Sequence, residues 1–259
     1  MMILKVTGLS KYFGGLIALD KVNIDVRPGS IHSIIGPNGA GKTTFFNVIT
    51  GVLPSTEGRV EFEGQDLTNL PSSTIAKMGI ARTFQNIRLF RLMSILDNVR
   101  VGTHSWTSTH LFAALLRTRH HKQEEADVYA RAMQLLETYG LADRKDELAQ
   151  NLPYGAQRRL EILRALAQNP RLLLLDEPTA GMNIQESAEL TDFIKHLRDE
   201  QGLTIVMIEH DMKVVMSISE TITVLDYGKK IAEGRAEEIQ NDPRVIEAYL
   251  GRGATEDNA

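Results

Sequence analysis

Residues 36 to 44 read Gly36, Pro37, Asn38, Gly39, Ala40, Gly41, Lys42, Thr43 and Thr44. They follow the β-branched run Ile31 to Ile35 and lead into the apolar stretch Phe45 to Ile49. A strand that ends in a glycine-rich turn and opens a helix lets consecutive backbone N–H groups converge on an anion, where the helix N-terminus adds partial positive charge. In such a loop the lysine reaches the outer phosphates and the following hydroxyl serves Mg²⁺. The pattern implies a site for a nucleoside triphosphate, with Lys42 and Thr43 in those roles.

A second element of phosphoryl-transfer chemistry lies far downstream. Leu172 to Leu175 run directly into Asp176, Glu177 and Pro178. A buried strand of this kind delivers a carboxylate to the sheet edge where ligands bind. Neighbouring side chains on a strand face opposite ways, so both carboxylates serve one ligand only if the chain turns there, and Pro178 marks the exit. Asp176 is then the metal-side carboxylate, and Glu177 the group that orients or deprotonates the attacking water.

These residues need elements to hold them. The first 64 residues predict short strands at Leu4–Val6, Val22–Val26, Ile31–Ile35 and Arg59–Glu63. From about Ser94 to Ala167 the periodicity is helical, with Tyr129, Met133 and Leu136 on one face and Leu160, Leu163 and Ala167 on another. Beyond Arg171, strand and helix alternate: Leu172–Leu175, a helix around Glu186–Arg198, Thr204–Ile208, a helix from Met212, and Ile222–Leu225. This alternation predicts a parallel sheet with crossover helices. A turn at Tyr227–Lys229, a short acidic helix from Ala236 to Gln240 and a disordered tail over residues 252–259 complete the expectation.

Composition excludes several classes. The 259 residues carry a net charge of -4, so no strong field favours nucleic acid or an anionic membrane. The local basic run Arg117 to Lys122 reads as a solvated face. Cysteine is absent, which removes disulfides and thiolate chemistry. The N-terminus lacks the pattern of a secretory leader, and the longest apolar runs, Leu111–Leu116 and Leu172–Leu175, are far shorter than the ~20 residues that span a bilayer. Any membrane role is expected to come through a partner, with the chain itself in the cytoplasm on the inner face of the membrane.

Shortly before the Leu172 strand, Asn151, Leu152, Pro153, Tyr154, Gly155 and Ala156 open a helix-like run. This segment resembles the signature of the ATP-binding cassette ATPases. Phe13 before Gly14-Gly15, Gln85 after Arg82-Thr83-Phe84, and His210 after the strand ending at Ile208 match that family in order and spacing. Residues 45–51, 81–90, 208–212 and 245–251 further resemble the ATP-binding subunits of branched-chain amino acid transporters. The likeness extends over residues 3 to 250.

The resemblance implies a fold and a set of roles. The fold is α/β, a P-loop NTPase with a RecA-like core, an antiparallel β-subdomain and an inserted helical subdomain. As one cassette over residues 1–251, its core comprises 1–85 and 166–251, and its helical part 86–165. ATP and Mg²⁺ are the implied cofactors. Phe13, in isolation as readily a core aromatic, is implied to stack on adenine. Gln85 is implied to touch Mg²⁺ or the attacking water, joining Thr43 and Asp176 around the metal. His210 is implied to hold the γ-phosphate, and Pro153 to Ala156 to complete the nucleotide site of a second cassette, identical or paralogous, packed head to tail. Membrane-spanning permease subunits, and indirectly an extracytoplasmic solute-binding protein, are the implied partners. Two departures stand out: Pro153 replaces the usual serine of the signature, and Asn183 replaces an aspartate after the catalytic glutamate. Uptake of branched-chain or related amino acids, lipid or lipopolysaccharide extraction, and a soluble ATPase acting by nucleotide-driven dimerisation all remain open on sequence.

Overall fold

The computed structural model of the chain describes residues 1–103 and 119–250, so the expected tail over 252–259, the apolar run 111–116 and the first two residues of the basic run lie outside the described residues. The chain divides into two compact units, one made of residues 1–85 with the chain from 171 onward, the other of residues 86–170.

In the first unit, alternating burial along β1 (Leu4–Phe13) and β2 (Leu16–Val26) sets one face of each strand inward. With β4 (Glu57–Phe62) and β5 (Gln65–Asp66) they form an antiparallel sheet in the order β2-β1-β4-β5. The hairpin pairs Phe13 with Leu16 across Gly14-Gly15. The strands at 4–6 and 22–26 thus extend well beyond their apolar cores. Their outer halves are mostly exposed or half-buried, and their pairing shifts register between Val6 and Tyr12, so no regular alternation marks them.

A second sheet of six strands carries the ligand edge. Its order is β10-β9-β3-β8-β7-β6, with β3 (Ile31–Ile35), β6 (Ile80–Arg82), β7 (Leu172–Asp176), β8 (Thr204–Ile208), β9 (Thr221–Asp226) and β10 (Lys229–Gly234). Strands β3, β7 and β8 are buried at every residue, the expected signature of a sheet covered on both faces. All neighbours from β9 to β6 are parallel, and only β10 runs antiparallel. Tyr227-Gly228 forms the turn into β10, both at positive φ as a two-residue hairpin turn demands. The strand after this turn escapes a pattern reading because it has only one buried residue, Ala232.

Helices α1 (Lys42–Ile49), α2 (Ser72–Lys77), α6 (Ile184–Gln201), α7 (Met212–Ile218), α8 (Ala236–Gln240) and α9 (Pro243–Leu250) belong to the same unit. Phe45 and Phe46 of α1 are fully buried in a continuous core with Leu4, Leu19, Ile34, Val206 and Leu225. The helix behind the phosphate loop is therefore anchored between the two sheets.

The second unit is helical: α3 (Ile95–Gly102), α4 (Arg119–Thr138) and α5 (Tyr154–Leu166). On α4 the buried stripe is Ala132, Leu135 and Leu136, while Tyr129 is exposed. The expected face therefore shifts by part of a turn, and the Tyr129 hydroxyl accepts from Lys145 Nζ at 3.4 Å. On α5, Leu160, Leu163 and the following Ala167 are completely buried as the spacing predicts. Helices α3 and α5 touch through backbone: a Cβ on Gly102 would lie 2.0 Å from the Arg164 carbonyl oxygen.

Candidate nucleotide site

The phosphate loop is shaped from beneath. Gly36 has φ 146° and Gly41 φ 103°, conformations that only glycine adopts without strain. A Cβ at Gly36 would lie 2.0 Å from the Leu225 carbonyl oxygen, and one at Gly41 2.5 Å from that of Ala18. The turn at Gly228 props the loop by donating its N–H to the Ala40 carbonyl at 3.0 Å. Gly41 also caps α1 and offers no side-chain acceptor, so no cap competes for the first-turn N–H groups of Lys42, Thr43 and Thr44. That is a cradle suited to a phosphate.

Lys42 is buried, and its Nζ donates to the carbonyls of Gly36 at 2.6 Å and Pro37 at 2.9 Å. Burial holds its pKa below the ordinary lysine value, and the carboxylates of Glu177 and Asp176 oppose that shift. The loop's cation and both acidic residues therefore share one electrostatic neighbourhood.

Strand β7 ends at Asp176, and the next residue breaks the alternation. Glu177 takes φ 45°, a left-handed conformation that costs a residue with a Cβ about 1–3 kcal/mol. Its N–H still donates to Ile208 at 2.9 Å, which pins the turn to the end of β8. Gln85 Nε2 donates to Glu177 Oε2 at 2.7 Å, and His210 Nδ1 lies 3.6 Å from the same oxygen. Gln85, Glu177 and His210, from three separate segments, thus meet at one carboxylate oxygen. Asp176 is turned the other way, accepting from Arg82 Nη2 at 2.8 Å.

Arg82 and Glu209 brace the candidate site residues, and the sequence did not reveal them. Besides holding Asp176, Arg82 donates to Asn47 Oδ1 on α1 at 2.7 Å and stacks over the Phe46 and Phe84 rings. It ties the Asp176 carboxylate to the helix of the phosphate loop. Glu209 is fully buried; its carboxylate accepts from Thr179 N–H and hydroxyl on one side and from His210 and Asp211 N–H groups on the other. It fastens the turn after Glu177 to the turn carrying His210. A charged residue just after an apolar strand was the available signal for Glu209.

Phe13 ends β1 and is 44% exposed beneath Lys11, whose Nζ lies 5.0 Å from the ring centre. An aromatic ring held at a strand end with one face in water is free to stack on a base. Asn183 caps α6 in a reciprocal pair with Glu186, at 3.0 and 3.2 Å. Asparagine caps as well as aspartate, so this departure leaves the helix start intact. In the second unit, Pro153 precedes α5 as its N-cap, followed by exposed Tyr154, buried Gly155 and partly buried Ala156.

The donor set fits Mg²⁺. Thr43 is exposed on α1, Asp176 supplies a carboxylate at the sheet edge, and Gln85 supplies an amide. No group of three or more His, Cys, Asp or Glu side chains is gathered for a metal among the described residues. Magnesium is held in this way, by one or two protein oxygens together with phosphate and water, rather than by an all-protein cage.

The ABC transporter family matches residues 19–180, and the family described as branched-chain amino acid ATP-binding cassette transporter matches residues 229–255. The high-affinity branched-chain amino acid transport ATP-binding protein LivG of Escherichia coli K12 is 47% identical, covering 96% of this chain and 98% of its own length. Among solved structures, the ADP conformation of an ATP-binding cassette of an ABC transporter superposes with a TM-score of 0.85 at 36% identity, over 97% of this chain and 99% of that one. A dimeric post-hydrolysis cassette bound to ADP and phosphate superposes with a TM-score of 0.74 at 27% identity, over 90% and 98%. With the family matched over more than half of the chain and a relative aligned nearly end to end, this chain belongs to the ATP-binding cassette proteins of ABC transporters, of the LivG type.

Proposed function

We propose that the chain binds ATP with Mg²⁺, hydrolyses it at Glu177, and powers uptake of branched-chain or related amino acids through a membrane-spanning permease. The observation that carries the hydrolytic reading is the meeting of Gln85 and His210 at Glu177 Oε2, with Lys42 and Asp176 in the same field. In this reading the loop of Gly36, Pro37, Asn38, Gly39, Ala40 and Gly41, with Thr44 on α1, wraps the phosphates; every one of these residues except Pro37, which has no N–H, offers a backbone donor. Lys42 exchanges its two loop carbonyls for phosphate oxygens, and Phe13 stacks on adenine. Thr43, Asp176 and Gln85 would hold Mg²⁺, which when bound neutralises charge on the outer phosphates. Glu177 accepts a proton from the attacking water, and His210 donates to the γ-phosphate.

The signature residues Pro153, Tyr154, Gly155 and Ala156 then serve the site of a second cassette, an identical chain or a paralogue. Similarity to a cassette solved as a dimer with ADP and phosphate supports that assembly. Lacking the usual serine hydroxyl, Pro153 leaves the contact to the first N–H groups of α5. No helix among the described residues is long and apolar enough to cross a membrane, so the solute path belongs to the permease. Exposed Phe90, Leu92, Met93 and Leu148 supply an apolar surface on the helical unit for it. The likeness to LivG favours amino acids over lipid as cargo.

The test is reconstitution in vesicles with the cognate permease and paired cassette. A solute-binding protein loaded with leucine, isoleucine or valine should raise ATP hydrolysis and drive uptake. Stimulation by lipid alone would replace this reading with extraction, and failure to recover any membrane partner would replace it with a soluble ATPase.

A further inference from the structure

The loop from Arg88 to Met93 is unusual in presenting large apolar side chains to solvent while its backbone is held by buried polar groups. Phe90, Leu92 and Met93 are exposed, Leu92 at 78%. The Arg88 N–H donates to Glu161 Oε1 on α5 at 3.0 Å. Two residues on, Asn98 of α3, itself fully buried, grips both sides of Phe90: its Oδ1 accepts the Phe90 N–H at 2.9 Å, and its Nδ2 donates to the Phe90 carbonyl at 3.0 Å. The Arg164 guanidinium of α5 lies 5.7 Å from the Phe90 ring centre. Met93 and Arg91 further accept the N–H groups of Ala149 and Gln150. A loop with free apolar side chains and a fixed backbone suits transmission of force better than it suits adaptation.

The fixing group on α5 is itself held at considerable cost. Glu161 and Arg158 are one helical turn apart, completely buried, and paired at 2.9 Å. A buried ion pair is weak evidence for stability, because desolvation offsets most of its attraction. Leucine or methionine would fill this space without that penalty, so the pair calls for another explanation. Here the carboxylate holds a second, backbone donor, and Arg158 keeps that carboxylate aimed. The same helix opens with Pro153 to Ala156. Gly102 brings α3 to backbone contact with α5, so both grips sit on one rigid helix pair.

We propose that Glu161, aimed by Arg158, is a positioning residue that locks the Arg88–Met93 loop to α5, so that a load on the loop's exposed side chains moves the signature segment as part of one body. This rests on the uptake reading for the source of the load, a permease, while the lock itself is a property of the isolated chain.

Two double variants separate the lock from the charge. Arg158→Gln/Glu161→Gln removes both charges but keeps an acceptor for Arg88, whereas Arg158→Met/Glu161→Leu removes the acceptor as well. Each removes the Arg158–Glu161 pair as a whole, and both take the same Glu161 charge away from the part-buried Arg164, so that loss is common to the two variants. Hydrogen exchange on the isolated chain should show the Arg88 amide roughly tenfold less protected in the Met/Leu variant, as loss of a part-buried hydrogen bond implies, and near wild type in the Gln/Gln variant. Basal ATP hydrolysis should be unchanged in both. In reconstituted vesicles, permease-dependent stimulation should be lost in the Met/Leu variant and kept in the Gln/Gln variant. Unchanged exchange at Arg88 in the Met/Leu variant overturns the lock, and lost protection with full stimulation overturns its part in coupling. A wild-type chain that no permease stimulates overturns the uptake reading instead, with the exchange result still deciding the lock.

Discussion

Oxygen Oε2 of Glu177 receives the Gln85 amide, and the His210 imidazole lies within 3.6 Å of it. The proposed chemistry thereby centres on a side chain that reaches its place through a strained φ of 45°. Glu177→Gln removes the base but leaves the phosphate cradle and the Arg82–Asp176 pair intact. Turnover should fall about 10²- to 10⁴-fold while ATP binding persists. Size-exclusion chromatography with Mg·ATP should then show a trapped dimer, and wild-type hydrolysis by this variant would remove Glu177 from its role. Lys42 and Phe13 should differ in kind. Lys42→Ala should weaken ATP far more than adenosine, because its charge serves the outer phosphates. Phe13→Ala should weaken ATP and ADP alike, by roughly 1–3 kcal/mol if it stacks as aromatics do on bases. Titration calorimetry separates the two, and equal losses of ATP and adenosine in Lys42→Ala would contradict its assignment.

At the scale of an element, β3 carries the phosphate loop and hides a titratable group in its centre. His32 is 1% exposed, and its Nε2 lies 2.8 Å from Thr223 Oγ1 on β9, which in turn donates to Glu233 on β10. Burial lowers its pKa to about 4; Glu233 opposes the shift and Lys230 adds to it. The folded chain therefore holds this histidine neutral where the unfolded chain protonates it. Its contribution to stability is fully present above pH ~6.5 and is lost as the pH falls from there toward about 4. At pH 5 the loss should be about 2 kcal/mol. Urea melts of the wild type and His32→Gln at pH 7 and pH 5 measure it: the wild type should lose more stability than the variant by about that amount. Parallel losses would show that β3 carries no such penalty.

Taken whole, the molecule carries the residues proposed for ATP chemistry in one unit and the proposed signature segment in the other. A site that needs the signature of a second cassette is incomplete in one copy. The isolated chain should therefore hydrolyse ATP slowly, with a rate that rises more steeply than linearly with protein concentration. Leucine, isoleucine and valine should leave that rate unchanged, since cargo can shift the cassette only by favouring one of its states through the permease. A concentration-independent specific activity, or direct stimulation by a free amino acid, would refute this arrangement.

Local chemistry was legible in the sequence because it is carried by contiguous chain. A glycine-rich turn between strand and helix, four leucines ending in Asp176, and the alternation of buried strands with helices each declare themselves within about ten residues, and they determined the α/β class and the nucleotide chemistry it serves. The structure decided what depends on distant partners. Arg82 meets Asp176 across 94 residues, and Glu209 meets Thr179 across 30. No spacing rule links such pairs, because sheet order rather than chain order brings them together. The same holds for Glu161, whose neighbours suggest an ordinary charged helix position until the fold buries it against the Arg88 backbone. Residue types fix which groups can bind phosphate, metal or water, but which of them share an oxygen is set by tertiary packing.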